Sequence, residues 1–128
     1  MNQGEWKNAL PYLEQCLPIR RETGDKIGEG ITLINIGEIY RAQGNYTKSI
    51  EYYAQALAIQ QDIGDKVGEA QSRWDIGLTY EDMGDLAKAE EYITKAVQLL
   101  VPIDHPALEQ CQKSLEQVQA ARQGTQEA

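Results

Sequence analysis

The sequence predicts an all-α protein in which antiparallel pairs of helices repeat along the chain. Three observations carry this. A forty-residue internal echo runs through most of the 128 residues, apolar residues recur at helical spacing inside each echo, and glycine followed by Asp or Asn punctuates the echo at regular intervals. Aligning residues 24–63 on 64–103 without gaps gives 14 identities in 40 positions. Gly24-Asp25-Lys26 returns as Gly64-Asp65-Lys66, Ile36-Gly37 as Ile76-Gly77, and Gly44-Asn45 as Gly84-Asp85. The offset also reaches back, so that Gly4, Tyr12, Gln15, Leu17 and Ile19 match Gly44, Tyr52, Gln55, Leu57 and Ile59.

Taken in order, the first helix is expected over residues 5–22, with Pro11 and Pro18 inside it, each removing a backbone donor. The second, 26–42, has its stripe at Leu33, Ile36, Gly37 and Tyr40, which fall at i, i+3, i+4 and i+7. The third, 45–62, answers with Tyr46, Ser49, Ile50, Tyr53, Ala56 and Leu57. Helices over 66–82 and 85–101 repeat the pair. The last, 105–122, carries Leu108, Cys111, Leu115 and Val118 and leaves the forty-residue register; Asp104-His105-Pro106 supplies its start. Gly124 is expected to end it, leaving residues 125–128 as a disordered tail. Asp25, Asn45, Asp65 and Asp85 stand where side-chain N-caps belong. Short connections make neighbouring helices antiparallel. A glycine inside a helix costs about 1 kcal/mol relative to alanine. Gly37 and Gly77, at one repeat position, therefore indicate close approach of a partner helix, with Ser49, Ala56, Ala89 and Ala96 as its small counterparts.

Composition excludes several functions. Twelve Lys and Arg stand against 20 Asp and Glu, a net charge of −8, which argues against a nucleic-acid partner. No apolar run approaches the ~18 residues of a membrane span, and residues 1–6 have no signal-peptide character; a cytoplasmic location is the expectation. Cys16 and Cys111 have neither the number nor the spacing for a disulfide framework or a zinc site. They read as small buried hydrophobes. No metal or cofactor is expected, and no enzyme: His105 is the only histidine, no HExxH or phosphate-cradling loop is present, and Glu81-Asp82 lacks a pocket to split its pKa values. Asn45-Tyr46-Thr47 fits a glycosylation sequon at a helix start, by coincidence.

The helix pair defined by Leu33, Ile36, Gly37, Tyr40, Gly44, Tyr46, Ser49, Tyr53 and Ala56 resembles the tetratricopeptide repeat. Its second copy is Arg73, Ile76, Gly77, Tyr80, Gly84, Leu86, Ala89, Ile93 and Ala96. The forty-residue period with Gly-Asp-Lys at the junction is similar to the longer variant of kinesin light chains and G-protein-signalling modulators. The resemblance implies a right-handed α-solenoid of six helices as one domain over 1–124. It divides into a lone second helix of a truncated repeat (5–22), two repeats (26–62 and 66–101) and a capping helix (105–122). Two departures stand out: Arg73 replaces a large apolar residue, its guanidinium expected in water, and Glu90 replaces Ile50 and is expected to be solvated.

The resemblance also implies a non-catalytic module that binds a peptide or helical segment of another protein on the concave face. Carried over by position, that face holds Ile31, Ile34, Asn35, Glu38 and Arg41, then Gln71, Trp74, Asp75, Leu78, Glu81 and Asp82. Asn35 matches the family's peptide-contacting asparagine, and Asp75 keeps only an acceptor there. Ile31, Ile34 and Leu78 would form an apolar floor, and the acids would favour a basic or amphipathic partner, unless they are simply a solvated face. Trp74 is either an anchor in the groove or packed on the capping helix. The alternative function is self-assembly, or a segment of a longer repeat scaffold, through the stripe Trp6, Leu10, Leu13 and Leu17 on the first helix.

Overall fold

The computed structural model describes residues 3–127, with side chains described for residues 7–124. It contains six α-helices and, among the described residues, no strand: α1 Gln3–Thr23, α2 Lys26–Ala42, α3 Tyr46–Ile63, α4 Lys66–Asp82, α5 Leu86–Leu100 and α6 Leu108–Glu127. They form two compact units, residues 1–64 and 65–128.

The helix starts follow the sequence. Asp25 Oδ1 accepts from the Gly28 N–H at 2.9 Å, Asn45 from Lys48 at 3.3 Å, Asp65 from Gly68 at 3.0 Å and Asp85 from Lys88 at 3.2 Å. Each satisfies a backbone donor that the first turn leaves over. Gly64 closes α3 at φ 74, a left-handed conformation that costs glycine nothing. α1 runs without interruption through Pro11 and Pro18.

In the first unit α2 packs against both α1 and α3, and Leu33, Ile36 and Tyr53 are fully buried. A Cβ on Gly37 would sit 2.7 Å from Tyr53 Cε1 and 3.2 Å from the Ser49 carbonyl oxygen. On Gly77, in the second unit, it would sit 2.5 Å from Ile93 Cγ1 and 3.2 Å from the Ala89 carbonyl oxygen. Both glycines are therefore packing residues that let helices of a pair approach closely. Tyr40 stacks on Tyr52 at 5.6 Å and Tyr80 on Tyr92 at 5.7 Å, with Lys48 and Lys88 lying over the first ring of each pair.

The second unit is built on Ala89, Ile93, Ala96, Leu100, Cys111 and Val118, from α5 and α6, closed by Trp74 and Leu78 of α4. Its terminal helix departs from expectation at both ends. Val101–Ile103 form a 3-10 turn with Pro102 early in it, Asp104 adopts φ 47, and α6 begins only at Leu108. His105 Nδ1 accepts the Ala107 N–H at 3.0 Å, so the histidine serves the turn. At the other end the helix continues through Gly124 to Glu127, since nothing at Gly124 forces a left-handed turn; the expected tail is thus helical over 125–127, and Ala128 lies outside the described residues.

Two sequence departures also resolve. Glu29 and Glu69 hold one repeat position and both are buried. Arg21 pairs with Glu29 at 3.1 Å. Its counterpart forty residues on is Gln61, which carries no charge, and Glu69 is paired from its own helix by Arg73 at 3.1 Å. Arg73 is thus 13% exposed and turned to a carboxylate rather than to water. Glu90 is likewise half-buried and ion-paired, accepting from Arg122 at 2.9 Å.

Candidate functional site

The residues assigned to a binding face do not behave alike. In the first unit, Asn35 and Glu38 of α2 line a cleft of about 480 Å³ whose other walls are Ala9, Tyr12 and Leu13 of α1 with Ile39 and Ala42 of α2. The lining is mainly apolar, with one amide and one carboxylate at its edge. Burial raises the Glu38 carboxyl above its ordinary value, and the Arg41 guanidinium opposes that shift. Ile31, one turn earlier, is 54% exposed. Ile34 is not part of an apolar floor: it is 8% exposed and belongs to the core.

In the second unit most of the expected face is already engaged. Trp74 Nε1 donates to Ser114 Oγ at 3.1 Å and its ring packs on the core with Leu78, so the indole seats against α6. Asp75 is buried and its Oδ2 accepts from Gln71 Nε2 at 3.0 Å; the acceptor expected there serves the helix itself. Glu81 is half-buried and Asp82 exposed.

Of the α1 wall, only Leu13 is expected from the sequence, in a stripe for self-assembly and not in the binding face, although the sequence holds the signal for the rest. Ala9, Tyr12 and Leu13 stand forty residues before Ser49, Tyr52 and Tyr53, and those three sit against the first helix of their own pair. The side chain of Trp6, expected on the same stripe, lies outside the described residues. Among the described residues no three His, Cys, Asp or Glu side chains are grouped to hold a metal ion, and no helix is long and apolar enough to cross a membrane.

Antiparallel helix pairs repeated at forty residues, with an open cleft between α1 and α2 of the first unit, define a helical-repeat protein. The chain belongs to the tetratricopeptide repeat family, whose model matches residues 1–62 and 29–100. Among solved structures it is similar to the apo form of RapI, with a TM-score of 0.88 and 19% identity over 94% of this chain and 44% of that one. It is also similar to PH0952 of Pyrococcus horikoshii, a signal transduction ATPase with a tetratricopeptide repeat sensor. There the TM-score is 0.74 and the identity 32%, over 88% of this chain and 17% of that one. BtubC from P. vanneervenii matches with a TM-score of 0.84 and 20% identity, over 96% and 52% of the two chains. The chain thus spans well under two thirds of the length of each. No curated protein matches it significantly in sequence.

Proposed function

We propose that this protein is a non-catalytic interaction module whose first unit takes a segment of another polypeptide in the cleft between α1 and α2. The observation that carries the reading is the cleft itself: an apolar trough bordered by Asn35 and Glu38, in a family whose fold serves protein–protein interaction and is generally non-catalytic. An amide can donate to and accept from a peptide backbone. A carboxylate at the rim of an acidic chain, net charge −8, favours a basic or amphipathic partner and repels an acidic one. The similarity to a signal transduction ATPase that carries a tetratricopeptide repeat sensor supports a sensor or scaffold role.

Selection from a random peptide library tests the proposal. Enriched peptides should be basic or amphipathic, and Leu13→Glu in α1 should reduce their affinity at least tenfold while leaving the helical content unchanged. Peptides that bind Leu13→Glu as well as the parent chain would place the site elsewhere.

A second reading is self-association through α1, favoured by the exposure of Tyr12 and Ile19, 66% and 59%. It requires a concentration-dependent sedimentation coefficient; a monomer at every concentration would remove it.

A further inference from the structure

The three second helices of the repeats, α1, α3 and α5, can be compared position by position. Ser49, Tyr53 and Ala56 of α3 are fully buried, as are Ala89, Ile93 and Ala96 of α5. Their counterparts on α1, Ala9, Leu13 and Cys16, are only half-buried. In the complete pairs a first helix lies over these positions. Gly37 brings its backbone onto Tyr53 and the Ser49 carbonyl, and Gly77 does the same at Ile93 and Ala89. Three residues after each glycine a tyrosine stacks on the second helix, Tyr40 on Tyr52 and Tyr80 on Tyr92. Tyr12, the counterpart of those stacked-upon rings, has no ring partner among the described residues and is largely exposed.

The second unit shows what occupies such a space. There α5 packs on α6, α4 packs on both, and Trp74 reaches α6 through its bond to Ser114. In the first unit α1 packs on α2, and the space beside them is the open cleft of about 480 Å³.

We infer that the occupant of this cleft is a single amphipathic helix patterned like α4. It carries a glycine or alanine opposed to Leu13 and an aromatic residue three positions later that stacks on Tyr12. The inference rests on the cleft being a polypeptide site, as proposed above, and adds the conformation and pattern of the ligand. Only a helix puts residues i and i+3 on one face; in an extended segment they point to opposite sides. Polarity adds a second requirement. In the second unit α4 shares an apolar core with Leu115 and Val118 of α6, whereas the cleft of the first unit offers Asn35 and Glu38 of α2. A helix for the first unit therefore carries a lysine, an arginine or an amide on the side turned to α2.

The test uses the whole chain and a synthetic peptide of residues 65–83 carrying Leu78→Lys, Glu81→Gln and Asp82→Asn, which meets the polarity requirement and removes the excess negative charge, titrated to millimolar concentration. Cys16 is the reporter: it should be covered when the helix docks, and its reaction with a thiol reagent should slow at least fivefold, saturably. Cys111 does not interfere, because it is fully buried and burial pushes its thiol up to about 11. The Gly77→Val peptide should protect at least tenfold less well, whether or not any variant of the protein folds, and Leu13→Lys in the chain should abolish protection. The same peptide without the Leu78→Lys change should protect less well, and one with Leu78→Glu less well still. Absence of protection, or equal protection by the Gly77→Val peptide, overturns the helical occupant. If library peptides still bind in a Leu13-dependent way, the polypeptide site stands without it; if no peptide binds, both fall. Protection that rises with chain concentration alone assigns the cleft to a second copy and also overturns it.

Discussion

Replacing Gly37 by alanine sets two effects against each other, and the structure decides between them. Helix propensity favours alanine by about 1 kcal/mol in a helix interior. The new Cβ would meet Tyr53 Cε1 at 2.7 Å, Tyr53 Cδ1 at 2.8 Å and the Ser49 carbonyl oxygen at 3.2 Å. Tyr53 is fully buried and its ring has nowhere to swing; the carbonyl moves only if α3 moves away from α2. Overpacking typically costs about 1–3 kcal/mol, and contacts this short against a fully buried ring put Gly37 at the upper end, about 3 kcal/mol, so the net loss should be about 2 kcal/mol. Gly30 is the internal control. A Cβ there would meet only the Gln60 side chain, at 3.5 Å and beyond, and the matching residue of the next repeat is already alanine, Ala70. Gly30→Ala should therefore stabilise by about 0.5–1 kcal/mol. Urea unfolding followed by circular dichroism separates the two variants by midpoint at constant m-value. A Gly37→Ala protein as stable as the parent, or a Gly30→Ala protein clearly weaker, would refute the assignment of Gly37 as a contact residue.

Arg73→Leu would restore the apolar residue found at Leu33 but leave Glu69 buried with only Lys66, at 3.7 Å; a stability loss of about 1–3 kcal/mol is expected, seen as a lower urea midpoint, where an apolar-for-apolar reading expects a gain. Trp74→Ala should destabilise by about 3 kcal/mol, because the ring belongs to the core and its N–H to Ser114, and should lower the melting temperature whether or not a ligand is present. Asp25 is held below its ordinary value by the Gly28 N–H and then by Arg20. Its contribution is thus present above the unfolded value and lost as pH falls through the folded one, below about pH 4. Asp25→Asn should flatten that part of the acid-unfolding curve. Glu38 has the opposite sign: its folded carboxyl holds the proton longer, so ionising it lowers stability as pH rises above about 4.3. Glu38→Gln should unfold at slightly higher urea at pH 7 yet bind basic peptides more weakly.

The helices, their caps and the packing glycines were legible in the sequence because each rests on local chemistry repeated at a fixed interval. A carboxylate three residues before an orphan N–H, or a glycine opposite Tyr53, carries its reason with it. The site was less legible because exposure depends on what else is present. Ile34 and Asn35 are neighbours on one helix, yet one is core and the other lines a cleft. Trp74 had two equally physical readings, and only the position of Ser114 on α6 separates them. Arg73 breaks an apolar stripe in the sequence, and its reason, the buried Glu69 four residues back, is a fact of packing. The end of α6 misled for a related reason: glycine permits a helix stop but does not impose one. The α1 wall could have been found by asking which repeat positions of α3 and α5 are covered by a first helix and then looking at Ala9, Tyr12 and Leu13.

Backbone amide NMR during titration with a library-selected basic peptide tests the central claim most directly. The largest shift changes should fall at Ala9, Tyr12, Leu13, Asn35 and Glu38, with Trp74 and Ser114 nearly unmoved. Changes centred on α4 and α6, with α1 silent, would contradict that claim.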